Sequence, residues 1–216
     1  MDTDRLQSEN SKDVVRKSLR DTNHIKTLQL EQDLEKYSFF STFQQPIVDE
    51  FVAHFRNGGG KFFPFPKDQI YANLELFLKK QHYNTLVALT PNLHPFLEKR
   101  NIPFVNVIPF NEPADAALVF SDMLVASSGS IGFTPRTILY PSVKNLAKDV
   151  IVMTRSRCVF PNYAAAMDYQ HSLGPDAKTS IVEFVTPHEE LDEEEKPVYS
   201  PQNPRFFVFM VQDDVE

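Results

Sequence analysis

Apolar positions along this chain keep two rhythms, a spacing of three to four residues that fits helices and short continuous runs that fit buried strands. The helical spacing covers Asp13–Lys36, where Val14, Val15, Leu19, Ile25, Leu28 and Leu34 recur among charges. It returns in Ile47–Arg56, opened by Pro46 and closed by Asn57-Gly58-Gly59-Gly60. Such residues tolerate the left-handed conformation that ends helices. Lys67–Lys80 is the next predicted helix, with Ile70, Leu74, Leu76, Phe77 and Leu78 toward the core, and Asn162–Leu173 is a later one. Strand-like runs are Lys61–Phe65, Thr85–Leu89, Val105–Pro109, Met123–Ala126, the segment after Ser130, Val150–Met153, Ser180–Val185 and Phe206–Val211. A helix from Thr90-Pro91 to Arg100 separates two of these runs, with Pro91 in its first turn. Strand, helix and strand in that short space make a βαβ unit and predict a parallel sheet. Ala114–Phe120 reads as a short helical piece. Residues 1–36 read as an N-terminal helical extension and residues 37–216 as an α/β domain.

Composition narrows the class. The 216 residues suffice for one substantial core. Net charge is -7, which argues against a nucleic-acid partner, since such binders carry a basic face. No apolar run approaches the ~20 residues of a membrane helix. No apolar leader is visible near the N-terminus, and the expected location is cytoplasmic. Cys158 is the single cysteine, so an intrachain disulfide is impossible. Its ordinary reading is a small buried apolar residue; a reactive thiolate needs a neighbouring base.

Several tempting motifs fail on spacing. Gly58-Gly59-Gly60-Lys61 has the wrong order for a phosphate loop, following a helix and preceding a strand, with Phe62 where Ser or Thr belongs. The six histidines show no metal-binding spacing, and no metal or cofactor is expected. The acidic segment His188–Lys196 carries six carboxylates between Glu189 and Glu195 but lacks the alternating ligands and glycine of a calcium loop. It reads as a solvated surface loop.

The most informative stretch is Met123–Ile131, MLVASSGSI. Ser127, Ser128, Gly129 and Ser130 form a tight turn between two strands. Free amides and hydroxyls in such a turn can cradle a carboxylate or phosphate, and Arg136 can add a bidentate contact. A plain turn between buried strands and a surface arginine account for the same residues. Asp122 and Glu183 are the acid–base candidates. Asp122 precedes a strand, where an aspartate also caps turns. Glu183 sits in an otherwise apolar strand and needs a partner if it faces inward.

MLVASSGSI, followed by Arg136, Leu139, Pro141 and the strand Val150–Met153, resembles the lactate-utilisation (LUD) domain family. That family shows a strand ending Ala-(Glu/Ser)-(Thr/Ser)-Gly-(Thr/Ser)-apolar, then an arginine, a Leu-x-Pro segment and an apolar strand. Ala126, Ser128, Gly129 and Ser130 match the first part; Arg136, Leu139 and Pro141 match the second. The resemblance runs from about Ile47 to the C-terminus. It implies an α/β fold of the sugar-isomerase and CoA-transferase-like type: an open, mostly parallel sheet with helices on both faces and pockets beyond the strand ends. It further implies an accessory role beside iron–sulfur proteins that oxidise L-lactate, with a small anionic ligand at the Ser127–Ser130 turn.

The chain departs from the family pattern in three places. Ser127 stands where many members have glutamate, the residue type that related CoA transferases use as nucleophile. The later Ser-Gly-Pro-Ser segment is missing, and Val143-Lys144-Asn145 replaces a histidine after the Leu-x-Pro proline. Two alternatives therefore stand beside the anion-binding reading. One is an isomerase- or acyl-transfer-type enzyme using Glu183 or Asp122. The other is a non-catalytic subunit that docks an iron–sulfur partner.

Overall fold

The computed structural model describes residues 46–107, 113–135, 143, 145–174, 182–188, 190–191, 197–200 and 202–212. The predicted helix Asp13–Lys36, Arg136 with the Leu139–Pro141 segment, and most of the acidic segment lie outside them.

Five parallel strands form the main sheet. In spatial order they are β1 (Lys61–Pro66), β11 (Arg205–Gln212), β6 (Ala147–Arg155), β3 (Ala114–Phe120) and β2 (Leu86–Ala88). The central strands β6 and β11 carry apolar runs, Val150–Met153 and Phe206–Val211, where both of their faces are covered, and polar residues toward their ends. Alternation along β11 assigns each side chain to a face. Phe206, Val208 and Met210 join one core. Phe207 and Phe209 point the other way, onto Phe77 of helix α2 (Ile70–Gln81), with ring centroids 4.9 Å and 5.2 Å apart. On the first face lies helix α1 (Pro46–Asn57), whose Phe51 and Phe55 stack at 5.2 Å and share a core with Phe62, Val150 and Val208. Helices therefore cover both faces of a parallel sheet.

A second sheet of four strands closes the core over α1. Its order is β7 (Val159–Phe160), β4 (Met123–Val125), β5 (Ser130–Phe133) and β8 (Glu183–Val185). β4 and β5 form an antiparallel hairpin, β8 runs antiparallel to β5, and β7 runs parallel to β4. Leu124, Ile131, Phe133 and Val185 enter the shared core. Met123 and Val125 face outward onto Ala166 of helix α4 (Tyr163–Ser172). Ala166 makes the close contact expected of the alanine run, whereas Ala164 is exposed. Cys158 is buried, in keeping with its ordinary reading.

Four expectations are corrected. Ala114–Phe120 is not helical: it is β3, paired on one side with β6 and on the other with β2. Its alanines read as helix formers, but two parallel partners override propensity. Val105–Pro109 is not a full strand. Val105 makes one parallel bridge to Val87, and Val105 and Val107 are exposed, while residues 108–109 lie outside the description. Leu76 is 46% exposed, on the far side of α2 from Leu74 and Phe77. The helix predicted from Pro91 divides into a 3₁₀ turn, Pro91–Leu93, and helix α3 (His94–Lys99). In the acidic segment, β9 (Glu190–Leu191) pairs antiparallel with β10 (Pro197–Val198).

Candidate functional site

The β4–β5 turn is built against α1. Ala126–Ser128 form a single 3₁₀ turn, and Gly129 follows in the left-handed region at φ 63°. A Cβ on Gly129 would lie 2.4 Å from Phe55 N and 2.8 Å from Phe55 Cα. Glycine is thus required twice, for its torsion and for this backbone-to-backbone approach. At the end of the same helix, a Cβ on Gly58 would meet Pro187 O at 2.3 Å. The C-terminal end of α1 therefore seats both the hairpin turn and the segment after β8.

These two seats bring hydroxyls together. Ser130 Oγ lies 2.8 Å from Ser128 Oγ, 2.7 Å from the Tyr163 hydroxyl and 2.5 Å from Thr186 Oγ1. Ser130 is fully buried, while Tyr163 is 41% exposed and Thr186 is also exposed. Tyr163 is fixed from below and from the side. Asn162 caps α4 by accepting the Ala165 amide at 3.0 Å, as an N-cap side chain does. The Tyr163 ring meets Phe184 edge-on, 4.9 Å between centroids at 86°. Burial works to raise the Tyr163 phenol pKa, but the hydroxyl groups gathered around it, those of Ser128, Ser130 and Thr186, outweigh it and hold the phenol below the ordinary tyrosine value.

The amides that could have formed a cradle are largely spent. Ser127 N–H donates to Pro161 O at 3.2 Å, and Gly129 N–H donates to Ala126 O at 3.3 Å. With Gly129 pressed against α1, the chemistry of the turn resides in its hydroxyls. Sequence reasoning identified Ser128 and Ser130 and missed Tyr163 and Thr186. They stand 33 and 56 residues from Ser130, and only the packing of α4 on β4 and the pairing of β8 with β5 unite them.

The two carboxylate candidates are not brought to this cluster. Glu183 begins β8 opposite Phe133, at the far end of β5 from Ser130, about 10 Å along the strand from Thr186. Its Oε2 accepts the Val143 amide at 2.6 Å. Asp122 precedes β4 at the open end of the hairpin, beside the buried Ser121. There Ser121 Oγ accepts the Met123 amide at 3.2 Å and donates to Gly132 O at 2.8 Å. Arg136 lies outside the described residues. Among the described residues, no group of three or more His, Cys, Asp or Glu could hold a metal ion.

A second polar cluster lies at the N-terminal ends of the main-sheet strands β3, β6 and β11. Tyr83, Asp115, Lys148, Asp149, Tyr199 and Arg205 line a cleft of about 440 Å³. Asp115 accepts the Asn84 and Thr85 amides, and Asp149 accepts from Tyr83 and Arg205. These contacts fasten the start of β2, β3, β6 and β11 together.

No family profile matches the chain, and no curated protein does. Among solved structures, it is similar to a crystal structure of a DUF162 family protein from Deinococcus radiodurans, with a TM-score of 0.58 and 11% identity. The match covers 78% of this chain and 97% of that one. DUF162 is the LUD-domain-like family, and at this identity the likeness establishes the α/β fold. No helix among the described residues is long and apolar enough to cross a membrane.

Proposed function

We propose that this chain is a divergent LUD-domain protein that binds a small carboxylate or phosphate at the hydroxyl cluster around Ser130. One observation carries the reading. A buried serine at the tip of the motif hairpin gathers three further hydroxyls, two on the exposed residues Tyr163 and Thr186 and one on the half-buried Ser128. Hydroxyls donate to anion oxygens without adding charge, and a fixed set offers a defined geometry. Arg136 is assigned the bidentate charged contact. The DUF162-like fold is compatible with a LUD-family protein, and the family resemblance of the Met123–Ile131 segment is what supports an accessory role in organic-acid (L-lactate) utilisation beside an iron–sulfur partner, which we place in the cytoplasm. The carboxylate chemistry of the enzyme alternative is not favoured, because Glu183 is engaged with the Val143 amide.

The test is a thermal-shift panel of L-lactate, pyruvate, inorganic phosphate and sugar phosphates on the wild type, Ser130→Ala and Arg136→Gln. At least one compound is expected to stabilise the wild type, with the shift reduced in both variants. A wild type that no compound stabilises, or a shift unchanged in Ser130→Ala, overturns the assignment.

A further inference from the structure

Counting protons in the hydroxyl cluster gives a rule for what it can bind. Ser128, Ser130, Tyr163 and Thr186 carry four hydroxyl protons and make three hydrogen bonds, all through Ser130 Oγ. A hydroxyl donates one bond and accepts two, so Ser130 is saturated. It must donate to one neighbour and accept from the other two. The neighbour that accepts from Ser130 keeps its own proton free. That free proton always belongs to Ser128, Tyr163 or Thr186, and never to the buried Ser130.

The count changes when Tyr163 loses its proton. Ser130 then donates to the phenolate, while Ser128 and Thr186 donate to Ser130. Three protons fill three bonds, and all of them are polarised toward one oxygen. Nothing is left to offer a ligand, and the site now carries a negative charge.

We propose that Tyr163 sets the polarity of this site: with its proton in place the cluster donates one hydrogen bond to an acceptor oxygen of a small anion, and without it the cluster rejects the anion. The proposal rests on the ligand reading above and adds its proton rule. The phenol is placed for this role by exposure on one side and by Phe184 on the other. Titratable and charged groups on the elements packed around it are Asp49, Glu50, His54 and Arg56 on α1, Glu183 on β8, His188 beyond Thr186, and Asp168, Tyr169 and His171 on α4. The influences that act on the phenol come from burial and the three hydroxyls. Its ionisation is therefore a property of the cluster itself.

The experiment uses the full chain, with tyrosinate absorbance followed against pH and L-lactate binding measured by equilibrium dialysis across the same range. Lactate keeps its single charge throughout, so only the protein titrates. In the wild type one tyrosine is expected to ionise below the ordinary value of about 10. Lactate affinity is expected to fall about tenfold per pH unit above that midpoint, as it must when only the protonated form binds. Tyr163→Phe removes that titration. Its three remaining hydroxyls still hold three protons for two bonds, so it binds lactate several-fold more weakly and without the alkaline fall. Ser130→Ala, which removes the hub, moves the phenol midpoint and any alkaline loss of binding to higher pH.

Absence of an early tyrosine titration in the wild type overturns the proposal and leaves the ligand reading standing. So does lactate binding that is flat across the midpoint, or an alkaline fall that persists in Tyr163→Phe. No lactate binding by wild type at any pH overturns both for this anion, and that outcome is distinct from the others.

Discussion

Arg205 holds Asp149 side-on with two N–H donors, Nε to Oδ1 at 3.1 Å and Nη2 to Oδ2 at 2.8 Å. The two residues are register partners on the adjacent central strands β11 and β6. Tyr83 adds a third donor at 2.7 Å, and the Arg205 guanidinium lies 4.8 Å from the centre of the Phe207 ring. Burial works against the charge on Arg205, and Asp149 outweighs it, so the guanidinium pKa is raised. Removing one partner leaves a poorly solvated charge without its counter-ion. Asp149→Ala is expected to lower stability by about 3 kcal/mol, read from urea denaturation. A loss below about 1 kcal/mol would show that the pair is solvated like a surface salt bridge.

Tyr83 gives a pH dependence of definite sign. Burial, then the charge and hydrogen bond of Asp149, push its phenol above the ordinary range. In the unfolded chain it ionises near 10. Its contribution to stability is therefore complete below about pH 10 and is lost as pH rises beyond, because only the unfolded state releases the proton there. Tyr83→Phe is expected to be less stable at neutral pH by about 1 kcal/mol. Its urea midpoint should decline less steeply than that of the wild type above pH 10. Parallel decline in the two proteins would exclude Tyr83 as the source.

Gly129 and Gly174 form a matched test of close approach. Both have positive φ, 63° and 128°, but only Gly129 has backbone where a Cβ would stand; Gly174 has nothing within 4 Å. Gly174→Ala is expected to cost about 1 kcal/mol from torsion. Gly129→Ala adds overlap with α1 and is expected to cost at least about 3 kcal/mol. Equal melting temperatures for the two variants would contradict the packing of the turn on α1.

Glu183 ties β8 to the segment that precedes β6. Glu183→Ala is expected to cost about 1–2 kcal/mol through the lost charge-assisted bond to Val143. Ligand-induced thermal shifts should survive, because the carboxylate lies at the other end of the hairpin from Ser130. Loss of those shifts in a folded Glu183→Ala protein would return this residue to the binding site.

The parts of the fold that were legible in the sequence are those whose local pattern has a single solution. FFVFMV and TLVAL are apolar at successive positions, which fits strands covered on both faces, and both lie in the main sheet. Ile47–Arg56 carries its stop signal in the glycines that follow, and α1 ends there. Ala114–Phe120 was not legible, because alanine and leucine fit a helix as well and the deciding contacts come from β6 and β2, distant in sequence. The site divides in the same way. The tight turn at Ser127–Ser130 is visible as Ser and Gly chemistry. The partners that define its hydroxyl cluster come from α4 and the end of β8, and no spacing in the chain relates Tyr163 or Thr186 to Ser130.

β1 carries Pro64 and Pro66, which share one parity along the strand and have no backbone N–H. Among the described strands β1 pairs with β11 alone, and every residue from Lys61 to Pro66 is in register with it. Proline is tolerated in such a strand where its nitrogen faces away from the partner. An extended segment from another molecule approaching that flank would find two successive donor positions blank. The sheet is thereby discouraged from growing outward into a fibril, and the aromatic-rich edge KFFPFP gains protection against self-association without spending a charge.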